Sequence, residues 1–365
     1  MSNTYLKNYI YIFFLSIFLL FSCPALAADP SEHLTMGNPT NAVQDINLPN
    51  NYLLSKTQFV MSYNRDRAIP NWVSWHLDLN WLGLTPRQDN FRSDISLPAG
   101  WYRVVSSDYT GSGFNRGHLT PSADRTFSIE DNSATFLMTN MFPQSPDNNQ
   151  GPWEKLEDYC RVLINQGNEL YVVAGGAGDG GTGSAGTALT IAGGKVTVPQ
   201  TTWKIVLVLP NGDNDVARVN NSTRTIAVIM PNVQGIRNNP WETYAATVDQ
   251  VETLTGYDFF SNVPAEIQAI MEARLGVAPT AAAVSISGRV STPQDFGLVN
   301  ARVTLTDSYG NSRTILTGKF GSFHFPDVAA GETYILTIAS KRYTYAAQII
   351  TPTEDMTELN FTPNL

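Results

Sequence analysis

"GSGFNRGHLTPSADR", residues 111–125, places one of four histidines in a 365-residue chain among arginines and turn formers. His118 follows Arg116 and Gly117 and precedes the apolar Leu119, and Arg125 closes the stretch. Two readings compete: an ordinary strand residue, or an imidazole that moves a proton beside an anion. Hydrolysis of a phosphodiester needs the second. A base takes a proton from water, positive charge meets the charge building on the phosphoryl oxygens, and the leaving oxygen is steadied. His118 suits the first need. Arg87, Arg92, Arg116, Arg125 and Arg161 are candidates for the second, because guanidinium forks match phosphate oxygens. A hard divalent cation on oxygen ligands suits the third, and a Mg²⁺ site that keeps several waters needs few protein ligands. Composition alone favours the bland reading, since a lone histidine is more often structural than catalytic.

Downstream of this stretch, "ATFLMTNMFPQ" (134–144) reads as a buried strand running into a loop. In "NNQGPWEKLEDYCRVLINQG" (148–167), Trp153, Leu156, Cys160, Leu163 and Ile164 recur at helical spacing. Pro152 suits the first turn of that helix and Gly167 its stop. With a start near 149, Asn149, Trp153, Glu157 and Arg161 form one i, i+4 row. Two turns then separate Asn149 from Glu157 by about 12 Å of rise, so Glu157 reaches a shared ion only through water. Flanking runs such as "QFVMSYN", "WVSWHLDLNW", "ELYVVAGG", "WKIVLVLP" and "RTIAVIMPN" read as strands. "TVDQVETLTG" and "PAEIQAIMEARLG" read as short amphipathic helices, which gives an α+β class. The stretch "GGAGDGGTGSAG" (175–186) lacks the Gly-Lys-Ser/Thr ending of a phosphate loop and reads as a flexible surface loop.

The chain divides by texture. Residues 1–27 carry Lys7, the apolar run "YIYIFFLSIFLLF" and small residues at Ala25 and Ala27, the layout of a secretory signal peptide. Cys23 leaves a lipoprotein signal as the competing reading, and ordinary cleavage near Ala27 is favoured. The run is shorter than the roughly 20 residues of a membrane span, so no span is expected in the mature chain, which is secreted or periplasmic. Residues 28–50 read as a flexible N-terminus, 51–275 as one folded domain, 276–283 as a linker and 284–365 as a small all-β sandwich. Cleavage leaves Cys160 as the one cysteine, so no disulfide framework is expected. It also removes Lys7 and no acid, taking the formal charge from −9 to −10. An acidic chain is a poor coat for nucleic acid, so an anion site must be a local cationic pocket.

"GFNRGHLTPSADR" followed by "TFLMTNMFPQSPDNNQGPWEKLEDYCR" resembles the signature of the DNA/RNA non-specific endonucleases, the ββα-metal family that includes endonuclease G. The likeness runs from "RQDNFR" (87–92) to "LTGYDFFSNVP" near 264. It implies a ββα-metal fold with a central antiparallel sheet and DNA and RNA as substrates cut to 5′-phosphate products. It implies His118 as general base, Asn149 as the single protein ligand of Mg²⁺ (which Mn²⁺ can replace), and Glu157 as the acid that orients the site through water. Arg87 matches the arginine on the scissile phosphate, Arg116 and Arg161 match arginines lining the site, and Asn140 matches a structural asparagine. The family motif usually reads Asp-Arg-Gly-His, and Asn115 stands here in place of that Asp. An amide hydrogen-bonds like the acid but brings no charge, so metal affinity or rate is expected to fall.

Blander roles remain for each residue. Asn149 also suits a helix cap. Glu157 and Arg161 suit a surface helix pair. Arg92 reads as solvated, Arg125 as a salt bridge beside Asp124, His76 as structural, His33 as part of the flexible leader, His324 as exposed on a strand, and Cys160 as a buried thiol. The tail "ISGRVST…GLVNARVTLTD…GNSRTILTGKFGSFHFPDVAAGETYILTI" is similar to the carboxypeptidase regulatory-like domain, a transthyretin-like sandwich with an accessory role. The alternatives to a nuclease are a binding protein on the same scaffold, crippled by Asn115, and a surface adhesin that works through its tail. A protein inhibitor or surface partner stays open.

Overall fold

The near-continuous apolar runs become strands buried on both faces, as expected for a sheet covered on each side. The computed structural model describes residues 32–276, 283–307, 312–330 and 333–363. The signal segment 1–27 and the linker residues 277–282 lie outside them. The strands are β1 (Tyr52–Ser55), β2 (Val60–Asn64), β3 (Ile69–Leu77), β4 (Asn115–His118), β5 (Met141–Gln144), β6 (Asn168–Ala177), β7 (Thr201–Pro210), β8 (Arg224–Pro231) and β9 (Ala245–Ala246). Seven of them form one sheet in the order β1-β2-β3-β6-β7-β8-β9, with every neighbouring pair antiparallel. The longer helices are α1 (Ile129–Ala134), α2 (Glu154–Asn165), α3 (Val248–Thr255) and α4 (Ala265–Met271).

The two-residue period of each strand divides the core in two. Leu170, Val172 and Ala174 of β6 and Val206 of β7 pack with Leu156, Cys160, Leu163 and Ile164 of α2. Tyr171 and Val173 of β6 and Trp203, Ile205 and Leu207 of β7 pack on the other face, with Val248 and Val251 of α3 and Met271 of α4. Met36 and Ala42 belong to this second core, and His33 is 1% exposed. The expected flexible N-terminus is therefore corrected for residues 32–42, which pack onto the sheet. The imidazole of His33 donates from Nε2 to Thr57 O at 2.8 Å, and its Nδ1 accepts from His76 N at 3.1 Å. Burial and then the charge of Arg125 push it down to about 3.

The glycine-rich stretch is corrected too. Its first three residues finish β6, and Gly181–Gly183 pairs antiparallel with Gly186–Ala188. The tail forms β10 (Ala283–Val290), β11 (Arg302–Asp307), β12 (Ser312–Leu316), β13 (Ser322–Ala329), β14 (Tyr334–Ala339), β15 (Gln348–Ile350) and β16 (Met356–Phe361). These make two sheets, β13-β10-β16 and β12-β11-β14-β15. Ile286, Phe323, Phe325 and Phe361 of one sheet share a core with Val303, Leu305 and Leu336 of the other. His324 is exposed on β13, as expected, beside Ser287.

Candidate active site

Strands β4 and β5 form a separate antiparallel pair, with Asn115 opposite Gln144 and His118 opposite Met141. Gly117 sits directly over Gln144: a Cβ there would lie 2.2 Å from Gln144 Oε1. The Gly of the Arg-Gly-His run thus lets β4 lie flat on β5, which leaves Arg116 and His118 on one side of the ribbon. Asn140 locks the same hairpin. It is fully buried, its Oδ1 accepts from Thr120 N, and its Nδ2 donates to the carbonyls of Thr120 and Thr135. Its expected structural role stands.

One cleft is lined by Arg87, Arg116, His118, Ser122, Asn149, Gln150, Glu154, Glu157 and Arg161. It adjoins a second, lined by Arg87, Asp89, Phe91, Asn115, Arg116, Asn149 and Gln150. All seven expected site residues therefore come together. The His118 ring stands edge-on to Phe91 and Phe136, with centroids 5.6 and 5.0 Å away. Its Nε2 is buried with no hydrogen-bond partner. Burial, then the charges of Arg87 and Arg116, push the imidazole down to about 3, so it is held neutral, with a ring nitrogen lone pair free of a proton.

The cations differ in how far they are committed. The Arg116 guanidinium lies 4.1 Å over the Phe91 ring and donates to Ser106 Oγ, and it has no carboxylate partner among the described residues. Arg87 lies 4.8 Å over Phe136, donates to Ser122 Oγ at 2.8 Å and pairs with the exposed Asp89. Arg161 reaches the cleft wall, but Asp124 and Asp158 already hold it, at 2.8 Å in the first case. Burial works against its charge, and the carboxylates of Asp124 and Glu157 outweigh that. Arg92 is exposed and donates to Ser133 O. Arg125 is fully buried and makes no side-chain pair with Asp124, which corrects that expectation. It donates to the carbonyls of Gln58, Asp124 and His76 and lies 4.0 Å over Trp81.

The row from Asn149 to Arg161 is not one continuous helix. Gln150 and Gly151 leave helical geometry, and α2 begins at Glu154. Gly151 is packed against the chain at Arg237, whose Cα would lie 2.7 Å from an added Cβ. That close approach breaks the row and turns Asn149 toward Asn115. Asn149 Nδ2 and Gln150 Nε2 both donate to Asn115 Oδ1, each at 3.1 Å. With its amide nitrogen held there, Asn149 keeps its carbonyl oxygen for the cleft. This oxygen and the carboxylates of Glu154 and Glu157 line one wall, and oxygen donors of that kind suit a hard divalent cation.

Glu157 does not pair with Arg161. It takes Lys204 Nζ at 3.1 Å, and that lysine is 1% exposed, 4.0 Å over the Trp153 ring. Burial pushes the Glu157 carboxyl up, and Lys204 acts against that shift. Lys204 is the residue that reading the sequence missed, although a single charge inside "WKIVLVLP" was a usable signal. Asp124 was read only as a neighbour of Arg125. It is buried, accepts from Trp75 Nε1 and holds Arg161.

Residues 36–266 match the DNA/RNA non-specific endonuclease family. The chain is 52% identical over 250 residues to a nuclease of Nostoc sp. (strain PCC 7120 / SAG 25.82 / UTEX 2576), covering 68% of this chain and 88% of that protein. It is 30% identical over 218 residues to nuclease C1 of Cunninghamella echinulata var. echinulata, covering 58% of this chain and 83% of that one. In fold it is similar to a chain in the crystal structure of the EndoG/EndoGI complex, with a TM-score of 0.52 at 24% identity, covering 65% of this chain and 94% of that one. The chain therefore belongs to the DNA/RNA non-specific endonuclease family: it is a metal-dependent nuclease, a hydrolase acting on nucleic acids.

Proposed function

We propose that this is a secreted, Mg²⁺-dependent, sugar-non-specific endonuclease that cuts DNA and RNA and leaves 5′-phosphates. The observation that carries the reading is the single cleft that gathers an unpartnered neutral imidazole, two available guanidiniums and a freed carboxamide oxygen. His118 takes a proton from water, whose oxygen bonds to phosphorus as the bond to the 3′ oxygen breaks. Arg87 and Arg116 hold the phosphoryl oxygens. The charge of the bound phosphate also offsets the two guanidiniums that depress His118, so the base strengthens when substrate arrives. Asn149, with Glu154 and Glu157 on the same wall, would hold a divalent cation, which would supply positive charge at the departing 3′ oxygen. Lys204 pairs with Glu157 and fixes it in place, and Arg161 serves the site by anchoring α2 to Asp124. Phosphate-only contacts read no base, which suits broad substrates.

Asn115 accepts the two amide hydrogens that its acid counterpart would accept, so the enzyme reading is favoured over the binding-protein one. Export rests on the leader at 1–27, and no helix of the described residues is long and apolar enough to cross a membrane. The tail is proposed as a carboxypeptidase regulatory-like accessory sandwich, a reading supported by its two small facing sheets. The test is digestion of plasmid DNA and of single-stranded RNA with Mg²⁺ or EDTA, followed by end analysis. Cleavage of both with 5′-phosphate ends and full loss in EDTA is expected. Cleavage that persists in EDTA would end the proposal.

A further inference from the structure

On the sheet face away from the cleft lies a second group of acids. Asp249 and Glu252 are on α3, and Glu272 follows α4. One carboxylate oxygen from each lies within 4.8 Å of the others. Glu272 is 4% exposed and its Oε1 has no hydrogen-bond partner. Glu252 Oε1 accepts from Phe259 N at 2.8 Å, which leaves its second oxygen. Asp249 sits exposed at the rim. Backbone bonds hold the group in place: Asp249 N donates to Glu272 O at 3.3 Å, and Thr225 Oγ1 donates to Met271 O at 3.1 Å. After burial, the groups that push the Glu272 carboxyl up to about 8 are Glu252, Asp249 and Asp258, all acids. A buried carboxyl aimed among carboxylates and left unpaired is costly without a positive charge between them.

We infer that Asp249, Glu252 and Glu272 form a second cation site, separate from the cleft, for a hard divalent ion of the size of Ca²⁺. All donors are oxygens, which selects a hard ion. Ca²⁺–oxygen distances of about 2.3–2.6 Å place ligands on opposite sides of the ion up to about 5 Å apart, as the cluster does. The exposed Asp249 side provides an entry path and room for waters to complete the shell. The bound ion ties α3 to the end of α4, just before the linker. The competing occupant is a proton shared between Glu272 and a neighbouring carboxylate.

The test is thermal unfolding of the full chain after EDTA treatment and buffer exchange, titrated with CaCl₂ to about 10 mM. A rise in Tm of roughly 3–10 °C is expected, half-complete in about the 0.1–1 mM range. The rise persists in Asn149→Ala, which lacks the proposed cleft ligand. It disappears in Glu272→Gln and in the rim variant Asp249→Asn, which is the readout should Glu272→Gln not fold. No rise in the Asn149→Ala protein, or a full rise in both acid variants, overturns the site. The shared proton would show as no response to Ca²⁺.

Discussion

Glu157 and Glu272 flank opposite faces of one sheet. Burial raises both carboxyls. On the cleft face, a lysine from the middle of β7 meets Glu157, and Arg161 meets Asp124 beside it. On the other face, the charged groups acting on Glu272 among the described residues are all acids. Removing one partner of a compensated pair exposes the cost of burying the other. Removing a member of an uncompensated cluster relieves a cost. The acids of the cleft face are thus neutralised by cations of the protein itself, whereas no cation pairs with Glu272 among the described residues.

The largest effect is expected on the cleft face, where Asn149→Ala should lower cleavage by about 10²–10⁴-fold with Tm little changed, since the cation adds several kcal/mol to the transition state. Plasmid nicking rates at matched protein stability check this. Next, Lys204→Ala should destabilise by about 3–5 kcal/mol in urea unfolding, because it strands Glu157. The double variant Lys204→Met with Glu157→Leu should regain much of that stability and remain inactive. An intact Lys204→Ala protein would break the comparison.

The pH dependence sharpens it further. His33 and His118 fall from 6.5 to about 3 on folding, so the unfolded chain binds more protons below pH 6.5 and stability drops with acidification through that window. Glu272 rises from 4.5 to about 8, so the folded chain retains a proton and stability drops as pH climbs through that window. In metal-free buffer these three groups place maximal stability near pH 6.5, with limbs of about 1.4 kcal/mol per pH unit. Glu272→Gln should flatten the alkaline limb and steepen the acid limb between pH 4.5 and 6.5 to about 2.7 kcal/mol per pH unit, and Tm measured against pH shows whether it does. The smallest effect belongs to Asn115→Asp. A charge at that partly exposed position is worth about 0.2–1 kcal/mol, so the Mg²⁺ concentration for half-maximal rate should fall by a factor of about 1.4 to 5.

The α+β class was legible from strand and helix periodicity, and the family resemblance named the seven residues that the structure brings to the two adjoining clefts. What escaped depends on contacts distant in sequence. The helix start was misplaced because Gly151 answers to the chain at Arg237, and nothing in residues 148–167 reveals that. Lys204 was passed over because its partner lies 47 residues away. Residues 32–42 read as part of a flexible N-terminus because the apolar side chains that become buried there, Met36 and Ala42, find cover only once the sheet exists. Arg125 read as a structural salt bridge because its neighbour is an acid. Its actual partners are main-chain carbonyls at Gln58 and His76, which no side-chain pattern announces.

The most direct test of the cleft as a catalytic centre is His118→Ala, assayed by nicking of supercoiled plasmid in Mg²⁺ with its Tm measured in parallel. Loss of about 10²–10⁴-fold in rate, with an unchanged or higher Tm, is the expected result. Near-wild-type cleavage by a folded His118→Ala protein would contradict the assignment of the base.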